Sequence, residues 1–338
     1  MKRCTIILIA LLVISAITFG DEGRKGQAGF QFLKIPMGAK QISMGNTGAA
    51  FSTGASALYW NPAAVSTQKD YEFQFSNVSW FGGVSYQHFT GVAGIGEIGT
   101  LGFSIQYLSY PDIIETTELS PGGTGATFKP YDLALVLNYS KQMTEKVCFG
   151  INAKYVSETI ALVSADALAF DIGLTYNTGY QGIQFGFVIS NYGTKGQFSG
   201  SGLRRFYTRP DGPPNQTPVP VLFEADKFEL PSSVQGGISF QPMKTENLST
   251  TINADYVVNT FSADKKSLGA EIGYNDMIFL RGGYILRTDF NETAKGNGTF
   301  GVGVKYAFTN TMKFIFDYAF ADLGMLDNAQ YITIGFQF

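Results

Sequence analysis

The stretch VCFGINAKY at residues 147–155 decides the fold. Its odd-numbered residues are apolar or aromatic, and they alternate with Cys148, Gly150, Asn152 and Lys154. Successive side chains of a strand point to opposite faces, so this segment has one apolar face and one small or polar face. TLGFSIQYL at 100–108 and TFGVGVKYAF at 299–308 follow the same period. A soluble β-sandwich would alternate in the same way, so other features must separate it from a membrane barrel.

The length of the alternating segments is the first such feature. Fourteen segments follow one another, near 71–79, 82–91, 98–108, 131–141, 146–157, 166–177, 181–191, 232–241, 248–258, 267–274, 277–287, 299–308, 311–320 and 329–338. Most have about the nine to eleven residues that a tilted strand needs to cross a bilayer, whereas soluble strands are nearer five or six. The sequence therefore predicts an all-β fold, a transmembrane antiparallel β-barrel of about 14 strands over residues 71–338.

The connectors between the segments also favour a barrel. Long connectors at 109–130, 158–165 and 192–231 alternate with short ones such as ND at 275–276. Outer-membrane barrels have short periplasmic turns and longer external loops, and an even strand number places both chain ends in the periplasm. The final segment, YITIGFQF, ends in Phe338 and resembles the terminal strand signal of outer-membrane proteins. We therefore predict a location in the cell outer membrane, with its lipid as a partner.

Composition and the N-terminus agree with an exported membrane protein. Aromatic residues make up 14% of the chain and charged residues 15%, against about 25% charged residues in soluble domains. Residues 1–20 have Lys2 and Arg3 before an apolar run, which predicts a signal peptide cleaved after Gly20; a single membrane anchor is the alternative. No later run reaches 18 apolar residues, so transmembrane helices are not expected.

The chain lacks the signatures of an enzyme. It has one His, and only Cys148 remains after the predicted cleavage, so no internal disulfide is expected. There is no G-x-S-x-G, H-E-x-x-H or P-loop motif. We predict a protein without catalytic residues, cofactor or metal. The net charge of −3 argues against a nucleic-acid partner.

The polar faces of the strands would line the barrel interior. The charged lumen candidates are Lys154, Asp171, Asp255, Glu271, Arg281, Arg287, Lys305 and Asp317. Opposite charges there would either pair across the barrel and hold it rigid or line a path for a solute. Arg281 and Arg287 share the inward face of one strand, and a carboxylate from Asp255, Glu271 or Asp317 would neutralise them without a ligand.

The connector 192–231 is the largest external feature. It contains LRRFYTRPDGPPNQTPVPVLF, whose prolines oppose regular structure. Basic and aromatic contact chemistry comes from Arg204, Arg205, Phe206, Tyr207 and Arg209. The connector is either a variable surface loop or a lid or partner-docking loop.

Residues 21–70, the N-terminal segment, do not alternate. The part from 27 to 66 is rich in Gly, Ala and Ser, which predicts compact turns and short helices around 39–44 and 55–59. Small residues suit close packing against a barrel wall, so we expect the segment to fold into the barrel as a plug, or hatch. Asn61 precedes a proline, which holds it extended, and its side chain can cap a turn.

Residues 32–65 resemble a known family. FLKIPMGAKQISMGNTGAAFSTGASALYWNPAAV is similar to the N-terminal signature of the PorV/PorQ family, which is related to the FadL-type outer-membrane transporters. The motif positions are Gly38, Met44, Gly45, Gly48, Tyr59, Trp60, Asn61 and Pro62. The chain departs from the pattern at Lys40, where Arg is usual, at Asn46, where Gly is usual, and at 52–54, where acidic residues are common.

The resemblance implies a fourteen-stranded barrel with an N-terminal hatch, and it leaves two functions open. PorV/PorQ proteins act in type IX secretion, so our leading hypothesis is the handling of secreted proteins that carry a C-terminal sorting domain, with other secretion components. FadL-type relatives admit hydrophobic small molecules, so the alternative is a channel with an apolar pocket between hatch and wall. A soluble exported β interaction module is the second alternative. Tyr59 and Trp60 would either pack the hatch or gate a ligand.

Overall fold

The computed structural model describes residues 26–213, 215–287, 296–309 and 311–338. Fourteen long antiparallel strands pair in sequence order, and the first also pairs with the last, which closes a barrel. The strands are β1 Tyr71–Ser79, β2 Ser85–Gly94, β3 Thr100–Ser109, β4 Tyr131–Gln142, β5 Val147–Ile160, β6 Val163–Asn177, β7 Gln184–Gly193, β8 Ser233–Lys244, β9 Leu248–Asn259, β10 Lys265–Tyr274, β11 Ile278–Arg287, β12 Gly296–Ala307, β13 Lys313–Asp322 and β14 Asn328–Gln337. The predicted fold class and strand number are confirmed.

The wall of the barrel is apolar outside and polar inside. On β1, Phe73 and Phe75 are 38% and 43% exposed, whereas Glu72 and Gln74 between them are 4% and 8% exposed. The same alternation continues around the barrel, as on β5 and β6. This is the reverse of a soluble protein and is the arrangement that lipid outside a barrel requires. None of the helices in the described residues has the length and hydropathy to cross a membrane.

The two ends of the barrel differ. The rim that carries the start of β1 and the end of β14, here the turn rim, has the connectors 95–99, 143–146, 178–183, 245–247, 275–277 and 308–312. The opposite rim, here the loop rim, has the connectors 80–84, 110–130, 161–162, 194–232, 260–264 and 323–327. The connector 288–295 and the predicted signal peptide lie outside the described residues.

The prediction of a long connector at 158–165 is wrong. β5 and β6 stay paired up to Ile160 and Val163, and only Ala161 and Leu162 form the turn, with Ala161 at φ 51°. Near this turn the two strands carry polar residues on both faces, such as Glu158 and Asp166, so the period of two is lost there although the hydrogen-bonded ladder continues.

The long connector of the loop rim is partly regular, contrary to the sequence prediction. Arg204–Tyr207 pairs with Val219–Leu222, and Pro220 lies opposite Phe206 in this ribbon. A two-stranded ribbon has two free edges, and a proline is tolerated where its missing N–H would face away from the partner strand. The contact candidates Arg204, Arg205, Phe206, Tyr207 and Arg209 are all exposed.

The N-terminal segment forms short helices where the sequence predicts them. The α-helices are Ala39–Ile42 and Ala57–Trp60, and the 3₁₀ helices are Gln31–Lys34, Gly54–Ser56 and Pro62–Thr67. Asn61 is extended at φ −153° and ψ 107°, and its Oδ1 accepts a hydrogen bond of 3.0 Å from the N–H of Ala63. The residue thus ends one helix and caps the next, as expected of an Asn before a proline.

Candidate functional site

The N-terminal segment packs directly onto glycines of the barrel wall. Eight strands between β3 and β12 each present one inward glycine at which a Cβ would approach an atom of residues 43–63 closer than real contacts allow; these glycines, here the glycine belt, are Gly102, Gly150, Gly173, Gly186, Gly237, Gly269, Gly283 and Gly301. Gly186, for example, lies against the carbonyl of Ala49, and Gly283 against the N–H of Gly45. The segment therefore touches the inner wall around most of the circumference.

Side chains of the wall satisfy backbone N–H groups of the segment. Asp255 Oδ2 accepts hydrogen bonds from the N–H groups of Gly48 at 2.7 Å and Ala49 at 3.0 Å. Further bonds run from Ala39 to Thr333 Oγ1, from Gly45 to Thr299 Oγ1 and from Ala55 to Glu72 Oε1. Bonds to a charged acceptor are roughly twice as strong as neutral ones. Asp255, predicted as a partner for an arginine, instead anchors the N-terminal segment.

Arg281 is neutralised within the wall. Its Nε lies 2.6 Å from Glu271 Oε2, and its Nη1 lies 2.6 Å from Asp317 Oδ1. These three residues come from β11, β10 and β13, and all are less than 10% exposed. Lys154 is neutralised in the same way by Asp171, at 2.7 Å. The contacts of these five lumen candidates are ion pairs inside the barrel, which is the first of the two interpretations given above for the lumen charges.

We expect Arg281→Met to lower the free energy of unfolding by about 3–5 kcal/mol, because it leaves two buried carboxylates without their cation. The measurement is urea unfolding of the reconstituted barrel. Arg287→Met is the matched control, since Arg287 is exposed on the same strand, and its effect should stay within about 0.5 kcal/mol. Adding Glu271→Gln and Asp317→Asn to the first variant should recover much of the loss. Equal effects of the two arginine variants would contradict the buried pairing.

The remaining lumen candidates lie at opposite rims. Arg287 is exposed at the loop rim and pairs with no described carboxylate. Lys305 is half-buried near the turn rim and lines a cavity of about 170 Å³ together with Lys40, Glu72 and Gln337. A second cavity, of about 90 Å³, lies on the loop-rim side of the segment. Both have mainly polar linings, so neither is the apolar pocket that a channel for hydrophobic molecules predicts.

An apolar region does exist inside the barrel, and the chain itself fills it. Near the loop rim the inward faces carry Val78, Tyr86, Leu108, Ala134, Val156 and Tyr331, here the apolar chamber. Phe30, Phe32 and Leu33 of the N-terminal segment are buried in the same cluster, and the ring of Phe32 meets that of Tyr86 edge-on at 6.3 Å. The chamber is therefore an apolar site whose occupant is a short piece of the same chain.

Tyr59 and Trp60 act as packing groups of the segment. Trp60 Nε1 donates to the carbonyl of Met37 at 2.8 Å, and the ring packs against Gly48. The Tyr59 hydroxyl donates to the carbonyls of Leu33 and Ile35 at 3.1 and 3.0 Å. Burial, and then the nearby Asp171 carboxylate, raise the pKa of Tyr59, so it stays a neutral donor. Both rings also border the loop-rim cavity.

Two features of the site were missed in the sequence. The glycine belt was visible there as a glycine on the polar face of eight alternating segments, a signal for close approach of another backbone. The apolar chamber left a weaker signal, because apolar residues such as Val78 and Leu108 occupy the otherwise polar face where their strands end at the loop rim.

The fold and its filled interior define a class, that of closed fourteen-stranded antiparallel β-barrels with an N-terminal segment inside. The chain is similar to the CymD monoaromatic hydrocarbon channel, with a TM-score of 0.58 and 14% identity over 89% of this chain and 96% of that chain. It is also similar to the Pseudomonas putida toluene transporter TodX, with a TM-score of 0.52 and 15% identity over 88% and 95% of the two chains. The Ralstonia pickettii toluene transporter TbuX gives 0.51 and 16% over 89% and 97%.

At these identities the likeness concerns the fold alone. No family model and no curated protein matches the chain. Two of these solved structures are a monoaromatic hydrocarbon channel and a toluene transporter, and this chain shares their barrel fold. They lend no support to the PorV/PorQ resemblance of residues 32–65, which stays a prediction.

Proposed function

We propose that this protein is a non-enzymatic outer-membrane channel for small hydrophobic molecules, with the N-terminal segment as its hatch. The observation that carries the proposal is the apolar chamber filled by Phe30, Phe32 and Leu33. Burying apolar surface contributes about 25 cal/mol per Å², so an apolar solute can replace these side chains at little net cost. The likeness of the fold to hydrocarbon channels supports the same reading.

In this proposal the loop rim faces the outside and the turn rim the periplasm. A solute would enter between the loops and exchange with Phe30 and Phe32 in the apolar chamber. Further passage requires the N-terminal segment to move, because the glycine belt leaves no space between its backbone and the wall. The hydrogen bonds from backbone N–H groups of the segment to Asp255 and Glu72 stabilise the closed state.

Secretion is the second hypothesis. It rests on the signature at residues 32–65, and no contact described above favours it over the channel. Copurification of the membrane-extracted protein with exported proteins that share a C-terminal sorting domain would favour secretion instead.

The channel is tested by uptake of labelled toluene into cells that express the chain, compared with cells carrying an empty vector. We expect faster uptake with the wild-type chain than with the empty vector. Phe32→Ala should raise uptake a further few-fold, because loss of the ring weakens the packing of the N-terminal segment in the apolar chamber by about 3–5 kcal/mol at most. Phe51→Ala is the matched control, since Phe51 packs under Lys40, away from the chamber. Uptake equal to the empty vector would refute the channel.

A further inference from the structure

The cavity of about 90 Å³ on the loop-rim side of the segment, here the loop-rim cavity, has a positively charged lining. It is bordered by three lysines, Lys34, Lys154 and Lys265, and none of the described residues that line it is Asp or Glu. Lys154 is neutralised by Asp171 behind it. Neither of the other two forms an ion pair with any described carboxylate. Two lysines therefore face a polar cavity, and neither pairs with a carboxylate in the part of the chain that the structure describes.

Lys34 and Lys265 come from different elements, and both line the cavity. Lys34 ends a 3₁₀ helix of the N-terminal segment and donates from Nζ to Ser262 Oγ at 3.0 Å. Lys265 begins β10 on its inward face. Burial, and then the nearby Arg287 guanidinium, lower the pKa of Lys34. Like charges gathered in a partly buried site repel one another, and a bound anion relieves that repulsion.

Hydroxyl groups complete the lining. Ser190 and Ser233 lie opposite each other on β7 and β8, and Ser267 follows Lys265 on the inward face of β10. Among the described residues, no side chain or backbone group hydrogen-bonds to these three hydroxyls, and all three border the cavity. Each can donate one hydrogen bond. The cavity thus offers two ammonium groups and three hydroxyls to one small volume.

The volume limits what can bind. A single water needs about 10–15 Å³ of such space. A cavity of about 90 Å³ therefore holds a group of a few heavy atoms with some waters, and it is too small for a long hydrocarbon chain. A neutral hydrocarbon offers no hydrogen-bond acceptor to the two ammonium groups or to the three hydroxyls, and polar groups left unsatisfied cost free energy.

We propose that this cavity is a binding site for a small oxyanion such as phosphate, sulfate or a short carboxylate, held by Lys34 and Lys265 with the hydroxyls of Ser190, Ser233 and Ser267. The site is separate from the apolar chamber and goes beyond the proposed transport of hydrophobic molecules. Because Lys34 belongs to the N-terminal segment and Lys265 to the wall, a bound oxyanion also ties the segment to β10.

Calorimetric titration of the full-length protein in neutral detergent tests the site. The probes are inorganic phosphate, sulfate and acetate, each exchanged for chloride at constant ionic strength. We expect saturable binding of at least one of them. Lys265→Gln should weaken it about tenfold or more, because it removes a charged hydrogen-bond donor from the site. Lys266→Gln is the matched control, because Lys266 is the exposed neighbour on the outer face, and it should change affinity less than about twofold.

Each result has a definite meaning. Binding of phosphate and sulfate without acetate supports a site for tetrahedral oxyanions, and binding of acetate supports one for carboxylates. Lys34→Gln provides a second variant in another element and should also weaken binding. Absence of saturable binding for all three probes, or equal weakening by the Lys265 and Lys266 variants, would overturn the proposal. Toluene uptake is measured separately on the wild-type chain in cells, and its absence would not bear on oxyanion binding by the purified protein, so the two proposals fail independently.

Discussion

Deletion of residues 27–66 is expected to turn the protein into an open pore. The fourteen strands close their ladder without help from these residues, so the wall should still form. The interior of a fourteen-stranded barrel lies between that of filled eight-stranded barrels and that of open sixteen-stranded porins. With the segment gone, the space inside the glycine belt fills with water. Release of a small dye from proteoliposomes should rise by a factor of ~10 or more.

The physical basis of this expectation is the polarity of the inner wall. The groups that the deletion uncovers include Asp255 and Glu72, which are readily hydrated, whereas the Arg281 pairs with Glu271 and Asp317 stay intact. The full-length chain at equal protein-to-lipid ratio is the control, and circular dichroism must report the same strand content for both. Dye release no faster than with the full-length chain would show that the segment does not close the lumen.

The wall of the barrel was largely predictable from the sequence, because lipid imposes a strict period of two on every strand that it contacts. Where that contact ends, the prediction fails. The strands around Glu158 and Asp166 continue beyond the apolar zone, so the sequence suggests a loop where the structure has a paired ladder. Hydrogen bonding between strands does not need an apolar face, and only the apolar face is visible as a pattern.

The sequence predicted which charged residues face the barrel interior, but not all of the groups that they contact. The inward face of each strand gave the right charged residues, and two pairs join neighbouring strands, Arg281 with Glu271 and Lys154 with Asp171. Other partners come from farther away. Arg281 meets Asp317 from β13, two strands away, and Asp255 meets the backbone of Gly48 in the N-terminal segment. Lys34 and Lys265 of the loop-rim cavity likewise come from two elements, Gln31–Lys34 and β10. Alternation alone does not place such groups together.

The Tyr-Trp-Asn-Pro motif at residues 59–62 holds the N-terminal segment together and against the wall. Trp60 and Tyr59 fasten the helix Ala57–Trp60 to the extended chain before it, and the Asn61 side chain lies against Gly173 of the wall. The motif thus fixes the shape of the segment and its seat on the glycine belt. A shape of this kind would suit a hatch for any cargo, which is why the motif alone did not separate secretion from small-molecule transport.

Gly283→Val should unseat the N-terminal segment, whereas Gly282→Val should not. These neighbours on β11 differ only in the face they present. A Cβ at Gly283 would overlap the backbone of Met44 and Gly45, but a Cβ at Gly282 would meet nothing within 4 Å. Overpacking of this kind costs about 1–3 kcal/mol, and backbone on both sides leaves little room for relief. Valine also favours strands, so neither change should harm the wall itself.

The expected readout is dye release from proteoliposomes, raised several-fold for Gly283→Val and unchanged for Gly282→Val. A second matched pair lies on β8, where a Cβ at Gly237 would meet Asp255 and Ala49 and a Cβ at Gly236 would meet nothing within 4 Å. Limited proteolysis should cut the segment faster in the two inward variants, because its backbone is then held less closely. Equal dye release and equal cleavage in the inward and outward variants would contradict the prediction. The close contact between the N-terminal segment and the glycine belt would then have no part in closing the barrel.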